Sequence, residues 1–293
     1  MLQQTQVKTA TPYFKNFIKK YPTQKKLSEA SEDQILALWS GLGFYRRARN
    51  IFKTKEIIKE KYNNRFPKEF YQLLELPGIG KSTAGAIMSL AYQNPHPILD
   101  GNVKRVITRL VNKNIDLLKE SQLWDLSSQF VNKENCFAYT QGIMDLGATV
   151  CTPTNPSCKD CPVQNQCMSA FNIINNKKRN VAQLKKVIPM NLSLIQTEDS
   201  LLLVKNEASS IWKNLWIPFE SRSLESYTNS FKLTSSQKIQ HELTHRRLNI
   251  KLNTYTSTNE SEIKTNKKYK WIKKDKINEY GLPKPISKVI NEL

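Results

Sequence analysis

The sequence predicts a mainly α-helical N-terminal part followed by an α/β module, and three observations carry this. From about Gln3 to Phe171 apolar residues recur at three-to-four spacing. Eight of the nine glycines lie before position 150. After a loop holding four cysteines, the pattern changes to short apolar runs with alternation.

Taken in order, Ile35–Trp39, Tyr71–Leu74, Ala84–Tyr92, Val103–Val111 and Phe137–Val150 read as helices, separated by polar and Pro/Gly breaks. Asn172 to Pro189 is rich in Asn and Lys and reads as a linker. Beyond it, Leu192–Ile195 and Leu201–Val204 flank Thr-Glu-Asp-Ser as a hairpin. A helix is expected near Leu224 to Phe231, alternation returns at Leu248–Tyr255 and Tyr269–Ile272, and a closing helix is expected over Ser287–Leu293. The domains expected are therefore 1–171, a linker at 172–189, and 190–293.

Composition narrows the partner. The 293 residues hold 45 Lys+Arg against 25 Asp+Glu, a formal charge of +20. Such an excess suits phosphate backbones and salt-sensitive binding, although a lysine-favouring genome gives the same bias. No apolar run approaches the roughly eighteen residues of a membrane span, so no membrane partner is expected. With thiols as ligands and no signal peptide at the start, the expected compartment is a reducing cytoplasm.

Cys151, Cys158, Cys161 and Cys167 are separated by six, two and five residues. Thiolates that close are ligands for one soft metal centre. A zinc knuckle, an iron–sulfur cluster and two disulfides are all open from spacing alone. Cys136 stands apart and reads as a small buried hydrophobe.

Upstream lies Leu76-Pro77-Gly78-Ile79-Gly80-Lys81-Ser82-Thr83-Ala84-Gly85, followed by Asp100-Gly101-Asn102-Val103. Pro77, Gly78 and Gly80 permit a tight turn between two helices, over about residues 73–90, because glycine accepts positive φ. The turn amides and the next helix N-terminus then offer donors to a phosphate, with Lys81 beside them. A P-loop would need glycine at position 75, which is Glu75, and the dinucleotide fingerprint would need one at Thr83.

The cysteine spacing and this helix-hairpin-helix resemble the endonuclease III and MutY group of DNA glycosylases. The blocks Met1-Leu2-Gln3-Gln4-Thr5-Gln6-Val7, Gly41 to Asn50, and Asp100 to Val106 resemble the MutY family in particular, and the C-terminal part resembles that family's Nudix-like domain. The resemblance covers essentially the whole chain. It implies a helix-hairpin-helix glycosylase fold, a 4Fe-4S cluster on the four cysteines, and hydrolysis of the adenine N-glycosidic bond opposite 8-oxoguanine or guanine after base flipping. The partner implied is double-stranded DNA carrying A:8-oxoguanine or A:G mispairs, bound by a monomer in a bacterial cytoplasm at the nucleoid. Gly281 is the only glycine in residues 190–293, so a Nudix pyrophosphatase box is not expected there.

By the same resemblance, Asp100 stabilises the oxocarbenium-like sugar; its alternative role is the N-cap of the helix that follows. Asn102 would hydrogen-bond near the reacting sugar. Gln4 and Tyr45 match wedge residues, Arg46, Arg47 and Arg49 match backbone contacts, and Leu243-Thr244-His245 stands where the family commonly has Phe-Ser-His against 8-oxoguanine. A lyase needs an amine for a Schiff base, and endonuclease III-like enzymes carry Lys directly before the Thr-Ala of the hairpin helix. Here that residue is Ser82, and Lys81 points about 100° away around the helix, so a monofunctional glycosylase is expected.

One departure concerns the start. The family's acid, a Glu, lies two residues before the methionine of the Met-Leu-Gln-Gln block, where this sequence begins; no acidic residue precedes Glu29. A positioned general acid is worth roughly 10² to 10⁴ in rate. The expectation is a gene that starts further upstream, with a lesion-binding form lacking catalysis and an endonuclease III-like lyase as alternatives.

Overall fold

The computed structural model describes residues 1–172, 185–207, 211–221, 231–258, 260 and 268–293. Among the described residues nine α-helices come first: α1 (Val7–Lys20), α2 (Gln24–Ser28), α3 (Glu32–Leu38), α4 (Arg46–Tyr62), α5 (Phe70–Leu74), α6 (Lys81–Ala91), α7 (Gly101–Leu110), α8 (Glu120–Phe130) and α9 (Cys136–Asp145). Strands β1 (Lys186–Gln196), β2 (Ser200–Lys205), β3 (Trp216–Ile217), β4 (Phe219–Glu220), β5 (Lys232–Glu242), β6 (Arg246–Thr256) and β7 (Tyr269–Lys273) follow, and α10 (Lys284–Ile290) closes the chain. The order of elements, helices and then a mixed sheet with a closing helix, agrees with the fold class the sequence predicts.

Local chemistry sets the helix starts. Ser31 and Gln34 form a reciprocal capping box at α3, with the Gln34 amide donating to Ser31 Oγ at 3.2 Å and the Ser31 amide to Gln34 Oε1 at 3.0 Å. Asn135 caps α9 by accepting the Ala138 amide at 3.0 Å. The helical turns then widen into a π-turn over Leu146–Val150, which ends at Cys151.

The sheet runs β3-β2-β1-β6-β5, with β4 pairing on β1 and β7 on β2. β1 and β6 are parallel over eleven residues, Leu192 facing Leu252; the other pairs are antiparallel. β2 explains its own unbroken apolar run. Leu201 and Leu203 enter one core and Leu202 enters another on the opposite face, so both sides of the strand are buried.

The residues group as 1–59 with 181–293, and separately as 60–180. In the first group, Ile35, Leu36 and Trp39 of the α3 segment share one core with Leu192, Leu194, Leu248, Ile250 and Leu252 of the sheet. Asp33 ties them further, accepting from Lys205 Nζ at 3.1 Å and Trp216 Nε1 at 3.0 Å. In the second group, Val103, Val106 and Ile107 of α7 pack on Leu123, Leu126 and Ile143.

Two details differ from the sequence reading. β1 begins at Lys186, inside the stretch read as linker, because Ile188 and Met190 alternate toward the core beside Leu248 and Ile250. The closing helix starts at Lys284, led by Pro283 and Pro285, which suit a helix start. The rest of the linker (173–184) and the helix expected near Leu224 lie outside the described residues.

Candidate functional site

The hairpin lies between α5 and α6. Gly78 sits at φ +84°, a conformation glycine adopts without strain. Gly80 is the N-cap of α6 and brings no capping side chain, so the first amides of that helix stay open to an anion. Lys81 is exposed and lays its ammonium 4.1 Å from the centre of the Trp124 ring. Ser82 turns inward instead, and its Oγ accepts the Leu99 amide at 2.9 Å. That bond fixes the strand-like approach to Asp100. Gly85 allows the same approach one turn on: a Cβ there would stand 2.3 Å from the Pro97 carbonyl oxygen.

Asp100 caps α7, with Oδ1 accepting the Val103 amide at 2.8 Å, and its side chain is exposed. Capping occupies one carboxylate oxygen and leaves the other available, so the two roles expected for this residue are compatible. Asn102 faces α9's π-turn, where Gly147 leaves the space; a Cβ on Gly147 would stand 2.7 Å from Asn102 Cβ. Arg105 then braces the whole corner. It donates to Asn102 Oδ1 at 2.9 Å, to the Gly147 carbonyl at 2.6 Å and to the Cys151 carbonyl at 2.8 Å. Burial holds its guanidinium pKa below the usual value.

One turn further along α7, Arg109 donates to Cys151 Sγ at 3.3 Å, to Thr152 O at 2.7 Å and to Pro153 O at 2.9 Å. Cys151, Cys158, Cys161 and Cys167 all line one cavity of about 330 Å³, open mouth included, with Arg109 and Ser169 on its wall. Burial pushes the Cys167 pKa up, against a hydrogen bond from the Ser169 backbone, and the neighbouring thiols add to the rise. Among the described residues no three His, Cys, Asp or Glu side chains converge on a single ion. Cys136 is buried away from the other cysteines, its Sγ toward Ser89 O at 3.6 Å.

The remaining predicted residues belong to the other group of residues. Gln4 is exposed at φ +55°. Tyr45 is half-buried, its hydroxyl 3.4 Å from Leu282 O, and burial raises its pKa. Its neighbour Phe44 is the exposed aromatic of that turn, at φ +48°. Arg46 is exposed, while Arg49 donates to Lys213 O at 2.9 Å. Arg47 points inward, over the Trp39 and Phe44 rings at 5.3 and 5.5 Å, and bonds the carbonyls of Met1, Gln3 and Gly43. These contacts brace the Gly41–Tyr45 turn from within. Thr244 and His245 are exposed at the tip of the β5–β6 hairpin, closed by Leu243 N–H to Arg246 O at 2.8 Å.

Two family models match the chain: the HhH-GPD superfamily of base excision DNA repair proteins over residues 1–123, and the NUDIX domain over 191–292. An adenine DNA glycosylase of Buchnera aphidicola subsp. Schizaphis graminum is 38% identical over 309 residues, spanning 99% of this chain and 88% of that protein. The chain belongs to the adenine DNA glycosylase family. The human adenine DNA glycosylase is 40% identical over 171 residues, or 57% of this chain and 31% of that protein. Among solved structures, a thermostable thymine-DNA glycosylase matches with a TM-score of 0.54 at 26% identity, covering 59% of this chain and 81% of that one. A trapped endonuclease III–DNA covalent intermediate matches at 0.51 and 25%, covering 57% and 79%.

Within this glycosylase family chain, the sequence reading missed Gly85, Gly147, Arg105 and Arg109. A signal for the arginines was present: positions 105 and 109 are four apart and share one face of α7 with Asn102. The glycines act through contacts 12 and 45 residues away, which no local pattern announces.

Proposed function

We propose that this chain hydrolyses the N-glycosidic bond of adenine mispaired with 8-oxoguanine or guanine, as a monofunctional glycosylase. The observation that carries the reading is the Ser82–Leu99–Asp100 linkage. The hairpin helix that would hold the DNA backbone is hydrogen-bonded to the segment presenting an exposed carboxylate at the head of α7. Phosphates are received by the open amides of α6, and the extruded nucleotide presents C1′ to Asp100. The carboxylate faces the developing positive charge of the sugar, while Asn102, held by Arg105, orients the sugar. With a hydroxyl at Ser82 in place of an amine, no Schiff base forms there.

Gln4, the Phe44–Tyr45 turn, Arg46 and Arg49, all of the first group, are read as DNA contacts, and Thr244 with His245 as the reader of the opposing base. The four cysteines fit a 4Fe-4S cluster, since soft thiols line one cavity with a guanidinium at one sulfur. Such a cluster would supply a rigid fold for residues 151–167; Arg105 holds the backbone carbonyl of Cys151, and Arg109 holds its sulfur and the next two carbonyls. Brown protein with broad absorption and four irons per chain is the expected finding; a colourless protein with one zinc would replace this assignment.

The capping bond of Asp100 favours a second reading, a lesion-binding protein in which this carboxylate is structural. Asp100→Asn separates the two, because asparagine caps as well as aspartate. In single-turnover assays on an A:8-oxoguanine duplex, base release should fall roughly 10²- to 10³-fold, with binding and melting temperature kept. Release at the original rate would assign Asp100 to the cap alone.

A further inference from the structure

Over residues 186–191 of β1, 246–251 of β6 and 238–242 of β5, the strands turn one face to the core and leave the other to solvent. Ile188, Met190 and Leu192, then Leu248, Ile250 and Leu252, then Ile239 point toward the core. On the outer face Asn191, Lys251 and Lys238 stand side by side across the strands, next to the pair Asn249 and Gln240. All five side chains are exposed.

Lys238 lies directly opposite Lys251. Like charges in that position destabilise a sheet, and a sequence under stability pressure alone would place a carboxylate in one of them. Among the described residues neither lysine has an acidic partner. The one carboxylate on this face, Glu242, is already shared by Lys185 at 2.8 Å and Arg247. The next pair outward, Ser236 and Asn253, is self-satisfied at 2.8 Å. What remains is a patch of two cations and three amide side chains with no anion of its own among the described residues.

We propose that this face takes the phosphate backbone of the duplex flanking the lesion, with Lys238 and Lys251 clamping one strand. The proposal rests on the DNA-binding reading above. The complementary partner is a polyanion with evenly spaced charges, and amides of Asn and Gln commonly donate to phosphate oxygens. At about 3.3 Å per residue the lysine pair lies about 20 Å along β5 from the Thr244–His245 tip. That span equals about six base pairs of duplex rise.

The test measures binding of the full chain to an A:8-oxoguanine duplex by anisotropy across a salt series. For Lys238→Gln/Lys251→Gln, the slope of log K against log salt should shrink by about 1.8, and affinity at low salt should fall about tenfold. Shortening the duplex to about three base pairs on each side should impose the same loss on the parent chain and little on the variant. The melting temperature without DNA should hold or rise, since cross-strand repulsion is removed. An unchanged slope with intact lesion binding would overturn the proposal alone, as would a loss equal at every duplex length. Failure of the parent chain to bind any duplex would instead sink the DNA reading beneath it. Either single substitution gives half the slope change and covers the case of a poorly folding double variant.

Discussion

In residues 60–180, Ser82, Asp100, Arg105 and Arg109 each reach the backbone of a neighbouring segment. In the sheet module, Thr244, His245, Lys238 and Lys251 stand exposed on strands whose far side carries the core. The first arrangement makes the candidate site a part of the packing: glycines at 85 and 147 exist so that backbones can meet. The second separates stability from recognition by the two-residue period of a strand. Substitutions should therefore disturb fold and function together in the first region and apart in the second.

The most severe way to test the coupling is Gly85→Ala. The added Cβ meets backbone, the Pro97 carbonyl, and no flexible side chain can yield. A loss of about 3 kcal/mol is expected, visible as a lowered melting temperature. Because α6 would be forced away from the segment leading to Asp100, base release should fall with it. A variant with native stability would show that the approach is looser than 2.3 Å implies.

Ser82→Lys asks whether the hairpin helix can be turned into a lyase. An amine at that position should allow hydride trapping of a covalent DNA adduct, which the parent chain should not give. The same change leaves the amide of buried Leu99 without its acceptor, at a cost of about 1–3 kcal/mol. Trapping should thus come with lowered stability, and Ser82→Ala should show the stability loss without trapping. Efficient trapping by the parent chain would place it with the lyases.

These cases also show what a sequence can disclose. The hairpin, the cap at Asp100 and the four cysteines were legible because each depends on residues within a few positions of one another. Ser82's inward turn was not, since its partner Leu99 is seventeen residues on. Tyr45 and Arg47 sit in a motif that reads as DNA-facing, yet their polar ends meet Leu282 O and the Gly43 and Gln3 carbonyls. Likewise the hairpin of β1 and β2 was visible in its turn, whereas the parallel pairing of β1 with β6 comes from residues some sixty positions apart. Alternation tells which side of a strand is buried but not which strand lies beside it.

A milder probe is Gly142→Ala in α9. This glycine lies within the helix, and a Cβ on it would meet nothing within 4 Å. Alanine should stabilise residues 60–180 by about 1 kcal/mol without altering base release. It is the counterpart of Gly85: the same substitution in the same unit, opposite in sign because only one site is a backbone crossing. A destabilised variant would mean that α9 needs the flexibility of glycine before its π-turn.

The smallest expected effect lies in the sheet module, at His241. Its ring packs 6.3 Å from the Trp212 ring on the core side of β5, opposite Leu248. Burial lowers its pKa, Lys284 lowers it further, and Glu242 opposes them. A histidine with a folded pKa below its unfolded value binds its proton more readily in the unfolded chain. Its contribution is therefore full above the ordinary value near 6.5 and is lost as pH falls from there through the folded pKa. Because the ring is only partly covered, screening should keep the loss below about 1 kcal/mol. Melting curves between neutral and mildly acidic pH should show this decline, and His241→Gln should flatten it. The decline should accompany unfolding of the sheet core and leave the Lys238–Lys251 face, on the other side of the strand, with its salt-dependent binding unchanged at neutral pH. If acidification instead stabilised the parent chain relative to His241→Gln, the ring would be gaining a partner when protonated, and Glu242 would outweigh burial.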